Sequence, residues 1–362
     1  MSALSGGGLV SASVFAPWQQ RVYDQAAAAI DAGRLGHGLL FCGPAQLGKR
    51  AVAERLAQRL LCTDRRSDGE PCGACRGCRL FAVRSQTDPV ELRPDGSLAH
   101  PQGHCRHPDL MFVGYEINQK AKPPKSRSEM VIEQVRTLSE KMQLTPQYGG
   151  AQIAIVDPAE AINHAASNAL LKTLEEPVTG RYLWLLSAHP ARLSATIRSR
   201  CQRLEFRLPP RAEALAWLRS HQHADAAASE ALDAARGHPG LAHQWLQNDG
   251  LRIRREVASD LAKLARGDAG VVETAQRWAA DEHASLRLRH AADLSVDQAV
   301  AEAQAAGLTD PVRTRRLGAW FDLANRTRDL LRTTVRADLA IVELLMAWRA
   351  DEGSQAAGGR RR

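Results

Sequence analysis

Gly43-Pro44-Ala45-Gln46-Leu47-Gly48-Lys49-Arg50 follows the apolar run Leu39-Leu40-Phe41-Cys42 and leads into a stretch where Val52, Leu56 and Leu60 repeat at helical spacing. Strand, glycine-bounded loop and helix in that order form a phosphate-binding loop. Its glycines let backbone N–H groups close round phosphates, its lysine supplies charge, and a Ser or Thr after the lysine holds Mg²⁺. Here that last position is Arg50. A guanidinium cannot ligate a cation, so Gly43, Gly48 and Lys49 are expected to form a degenerate loop, poor at Mg²⁺-dependent hydrolysis and doubtful as an ATP site. A chance glycine-rich turn is the alternative, and the flanking strand and helix weigh against it.

Further along, Ile153-Ala154-Ile155-Val156-Asp157 is a buried strand ending in an acid, the second signature of an NTPase, in which the strand-end Asp holds Mg²⁺. The residue beside it, where a glutamate would activate water, is Pro158, and Glu160 is displaced beyond that proline. Metal-side and water-side chemistry therefore both look damaged, with Asp157 left as a residual acid.

Other elements fall into place around this pair. Val14, Trp18, Val22, Ala26 and Ile30 mark one face of a helix over residues 14–33. Short apolar strands are expected at Asp109–Val113, Tyr182–Ser187 and Leu204–Phe206. A helix should begin at Ser128, another should be capped by Asn163, and Gln147–Gly150 reads as a turn. About five near-continuous apolar strands separated by helices mean an α/β fold with a parallel sheet covered on both faces.

Cys62, Cys72, Cys75 and Cys78 bring four thiolates together, with glycines that permit tight turns. Such a set suits a structural, tetrahedral Zn²⁺. An iron–sulfur cluster and incidental thiols are the other readings. Cys105 among His100, His104 and His107 hints at a second site, although residues 84–107 lack periodicity and read as a surface loop. Lys120–Arg127 reads as an exposed basic loop.

The 362 residues carry a formal charge of +8, are 44% hydrophobic and 24% charged, and leave room for two or three domains. The positive balance favours an acidic partner such as nucleic acid; dispersed arginines also fit an Arg-rich proteome. Neither a secretory leader in residues 1–14 nor a membrane-spanning run is evident, so a soluble, cytoplasmic chain without a membrane partner is expected, with thiols reduced. Pro209-Pro210 is the first clear linker. After it, residues 212–246 form a small helical unit, residues 250–350 a longer Ala-rich bundle, and residues 353–362 a disordered tail.

Ser167-Asn168-Ala169-Leu170-Leu171-Lys172-Thr173-Leu174-Glu175-Glu176-Pro177, followed by Thr196-Ile197-Arg198-Ser199-Arg200-Cys201, resembles the clamp-loader subunits of bacterial DNA polymerase III, in the AAA+ superfamily. The resemblance is strong over residues 15–210 and rests on architecture beyond them. It implies an AAA+ domain over 1–208 with the zinc module at 62–78, a helical lid over 209–248, and a collar that holds the oligomer over 249–352. It also implies a hetero-pentamer with gamma/tau and delta subunits, which loads a sliding clamp on primer-template DNA through phosphate contacts. Arg200 would be a finger reaching into a neighbour's ATP site; from spacing alone it would be a strand-edge ion pair. Active relatives contact ATP through an arginine early in a lid helix, whereas Gly237–Leu241 has only Arg236 nearby, before the turn. Residues 84–127 look longer than the family pattern.

Three readings compete: a non-hydrolysing assembly subunit, an active gamma/tau-like ATPase, and a zinc-dependent nucleic-acid reader. The third would need aromatics among basic residues near the cysteines, and only Phe81 is there.

Overall fold

The structure, a computed structural model, describes residues 15–358 except 89, 94–97, 119–124, 149, 307–310, 332 and 334. Helix α1 (Pro17–Asp31) leads to β1 (Gly38–Cys42), the loop, and α2 (Lys49–Leu61). A short α3 (Arg76–Ala82) follows the cysteine segment. Then β2 (Leu110–Val113), α4 (Ile132–Gln143), β3 (Gln152–Val156), α5 (His164–Glu175), β4 (Arg181–Ser187), α6 (Ala195–Arg200) and β5 (Gln202–Glu205) complete the first unit.

The five strands form one all-parallel sheet in the order β2-β3-β4-β1-β5, with Gly38 level with Leu183 and Leu110 with Ile153. The sheet is apolar on both faces because it is covered on both. Leu40, Ala154, Val156, Leu183 and Leu185 pack with α4, α5 and α6 in one buried layer. Their neighbours Leu39, Phe41, Ile153, Ile155 and Trp184 point the other way and are equally buried. Trp184 and Phe41 meet there with ring centroids 5.7 Å apart.

Several boundaries differ from the sequence reading for local reasons. Helix α4 starts at Ile132, not Ser128, because the Gln134 side chain accepts the Val131 N–H at 2.9 Å and Met130 is held extended in a bridge with Ile162. Asn163 caps α5 as expected, accepting from the Ala166 amide at 2.9 Å. The buried Asp109 accepts the Gln147 and Tyr148 amides at 2.7 and 3.0 Å, pinning that turn to the start of β2; Gly149 lies outside the described residues. Two-residue strands at Arg84–Ser85 and His104–Cys105 pair antiparallel, so the expected surface loop is a strap with an inner side, along which His100, Cys105 and His107 are buried. Most of the expected basic loop, residues 120–124, lies outside the described residues.

The chain divides at Glu213 and Ala214 into two compact units. The second is helical throughout its described residues. One buried cluster spans Ala214 to Leu251, and another runs from Ile253 to Trp348 through five helices, the first Gly250–Arg266 and the last Ala337–Gly358. The tryptophans of the second cluster are tied by their indole N–H groups: Trp278 Nε1 donates to the buried Asp260 carboxylate at 2.8 Å, and Trp320 and Trp348 donate to Leu344 O and Leu261 O. Residues 353–358 continue the last helix, and residues 359–362 lie outside the described part.

Candidate functional site

At the carboxyl ends of β1 and β3 the phosphate-loop residues meet, and their own side chains fill the place. Gly43 has φ +136° because the chain passes close to β5: a Cβ there would lie 2.1 Å from Phe206 O. Gly48, at φ +84°, is the N-cap of α2, and a Cβ on it would fall 2.0 Å from Gln19 Nε2. Gln19 lies over the loop: Oε1 accepts the Ala16 N–H and Nε2 donates to Leu47 O at 3.1 Å, while Trp18 Nε1 donates to the same carbonyl at 3.2 Å. Lys49 folds back, donating to Gly43 O and Pro44 O at 2.7 Å each. Burial lowers its pKa, against the opposing fields of Asp157 and Glu160. Replacing Gly43 with alanine should therefore cost about 2–4 kcal/mol in urea unfolding; ordinary stability would refute the close approach to Phe206.

Arg50 turns toward the strand-end acid. One guanidinium nitrogen is 3.6 Å from Asp157 Oδ2, Nε donates to Glu54 at 2.7 Å, and the group stacks on Phe112 at 4.3 Å. It also contacts the His100 ring from the strap. Glu160, the remote candidate base, accepts the Ala188 N–H at 3.0 Å and so has a structural use. These residues do not fit a Mg²⁺–triphosphate: the acid already has its cation, the lysine is turned onto carbonyls, and Gln19 covers the second glycine.

The four cysteines do converge. Sγ of Cys62 is 3.6 Å from that of Cys72 and 3.8 Å from that of Cys75, close to the edge of about 3.8 Å expected for a tetrahedron of 2.3 Å Zn–S bonds. Amides of Cys72, Cys75 and Cys78 donate to the sulfurs of Cys62, Cys72 and Cys75 at 3.2–3.4 Å. Such bonds favour thiolates: for Cys75 burial works the other way, yet the N–H bonds win and hold it at about 6. Burial pushes Cys78 up. The segment is anchored by Glu70, which takes the Tyr23 hydroxyl and, at 2.8 Å each, Arg55 and the buried Arg59.

Arg200 stands apart, at the last turn of α6, 37% exposed. Its guanidinium pairs with Glu175 at 2.7 Å and donates to Thr196 O. Sequence reasoning missed two participants here, Gln19 and His100. Neither belongs to a motif, and only three-dimensional proximity brings them to the loop.

The parallel sheet, the strand-end acid and the glycine-bounded loop define a P-loop scaffold in which an arginine lies against the strand-end acid. The family described as DNA polymerase III, delta subunit, matches residues 18–210. Among relatives, the DNA polymerase III subunit delta' of Pseudomonas aeruginosa is 34% identical over 72% of this chain and 70% of its own length. That of Escherichia coli is 31% identical over 68% of this chain and 65% of its own. A solved Thermotoga maritima DNA polymerase III gamma subunit-related protein aligns at TM-score 0.43 and 13% identity, over 91% of this chain and 99% of that one. The chain belongs to the delta-prime subunit family of DNA polymerase III, within the clamp loader.

Proposed function

We propose that this chain is the stationary, non-hydrolysing member of its clamp loader. It would sit beside gamma/tau and delta subunits in a pentamer that places a sliding clamp on primer-template DNA, meeting the DNA through phosphates. Residues 209–248 would act as a lid and residues 249–352 as the collar that joins subunits. The four cysteines hold one structural zinc: a closed, all-thiolate set leaves no position for a catalytic water.

The observation that carries this reading is the guanidinium of Arg50 paired with Asp157. An ion pair in the metal place removes the Lewis acid that phosphoryl transfer needs. What remains to offer is Arg200. Its partner Glu175 is about half exposed, and such pairs contribute only about 0–1 kcal/mol. A triphosphate in an adjoining subunit could therefore take the arginine from it, and the fork of donors would stabilise charge on the transferred group.

Purified chain, free of other subunits, should show neither ATP turnover above a blank nor saturable ATP binding in equilibrium dialysis, with or without primed DNA. Turnover at an ordinary ATPase rate that Lys49→Ala abolishes would instead make this an active gamma/tau-like subunit.

A further inference from the structure

The strap over residues 84–107 places a second set of metal donors beside the closed loop, one that is separate from the cysteines. Nε2 of His100 and Nε2 of His104 both approach the same oxygen of Glu91, at 3.1 and 3.0 Å. All three ligand atoms lie within 4.8 Å of one another. Zinc bonds of about 2.0–2.1 Å to nitrogen and oxygen put tetrahedral ligands about 3.3–3.4 Å apart, so each imidazole nitrogen needs to draw away from the Glu91 oxygen by only a few tenths of an ångström to admit an ion. The rings are held ready: their centroids are 4.5 Å apart, His104 packs 5.0 Å from Phe112, and His100 is nearly inaccessible to solvent. From these observations we infer that Glu91, His100 and His104 bind a divalent transition metal, zinc by donor type, with the fourth position open to solvent or an anion.

Around the three donors, Glu54, Glu91 and Asp157 balance Arg50, Arg84 and Arg93, the last donating to Ala99 O beside His100 at 3.2 Å. Glu91 supplies the negative charge an ion would meet, and Arg50 opposes the ion, since its guanidinium touches the His100 ring. It need not leave the site. Nε holds Glu54 at 2.7 Å, and the nitrogen now 3.2 Å from His100 Nε2 and 3.6 Å from Asp157 would swing toward that carboxylate as the ion takes the imidazole. Metal binding and the Arg50–Asp157 pair therefore reinforce one another, and the strap would lock the closed loop.

The test is metal analysis and Zn²⁺ or Co²⁺ titration of full-length chain carrying no histidine tag. Two equivalents are expected for the natural chain, and one for Glu91→Gln and for His104→Ala. In both variants the Co²⁺–thiolate charge-transfer band of the cysteine site should remain, showing that the fold is intact. The second Co²⁺ should add only ligand-field absorption. One equivalent in the natural chain overturns the inference. A second equivalent that appears only in Arg50→Thr overturns it as well, because the natural guanidinium then shuts the ion out. So do two equivalents that survive both Glu91→Gln and His104→Ala.

Discussion

Replacing Arg200 by alanine is expected to lower ATP turnover of the assembled clamp loader by about 10³-fold or more, the scale of a lost arginine finger. Neither folding nor assembly should suffer. The side chain is 37% exposed, and its ion pair with Glu175 is of a kind that contributes about 0–1 kcal/mol. The sign of the effect separates two uses of the same residue. If Arg200 only tethers α6 to α5, Arg200→Ala costs a little stability and leaves turnover alone. If it reaches a neighbour's nucleotide, turnover collapses while the melting temperature barely moves. Arg200→Lys sharpens the contrast, because it keeps the charge but not the planar fork, and should recover only a small part of the rate. An assembled complex that hydrolyses ATP normally with Arg200→Ala would end the proposal.

The second large effect is expected from Cys75→Ser. It should remove one zinc equivalent per chain and open the segment from Cys62 to Cys78 to limited proteolysis. Structural zinc in small modules contributes about 10–16 kcal/mol of apparent binding free energy at neutral pH. Here Glu70, Arg55 and Arg59 also hold the segment, so only part of that should be felt. A loss of about 2 kcal/mol would lower the melting temperature by about 4–8 °C in a domain of this size. Thiols must lose their protons to bind the metal, so zinc should be released as pH falls, not as it rises. A serine variant with unchanged zinc content and unchanged protease resistance would remove the structural-metal reading.

The centre of the sheet was legible because its three middle strands are short apolar runs buried on both sides, which no other arrangement of Leu39–Cys42, Ile153–Val156 and Leu183–Leu186 explains as simply; the edge strand Gln202–Glu205 is largely exposed and carries no such signal. Strand order was not, since any right-handed crossover satisfies the same local patterns. Zinc-knuckle spacing announced itself in four cysteines, and their sulfurs do meet. Arg50 shows the boundary of such reasoning. Its sequence position revealed that a hydroxyl was missing. That the side chain would turn to Asp157 depends on Glu54, one turn along the same helix, and on Phe112 and His100, which lie on two other stretches of chain. Likewise, residues 84–107 have the composition of an exposed loop, yet antiparallel pairing of Arg84–Ser85 with His104–Cys105 gives them an inside.

The ion pair between Arg50 and Asp157 also bears on any attempt to reopen the loop. Placing serine or threonine at position 50 would leave Asp157 without its cation, Glu54 held by Arg84 alone, Lys49 still bound to its own loop and Gln19 still across the glycine. A hydroxyl introduced at position 50 alone therefore meets neighbours already committed to other partners, so no single exchange reopens the loop.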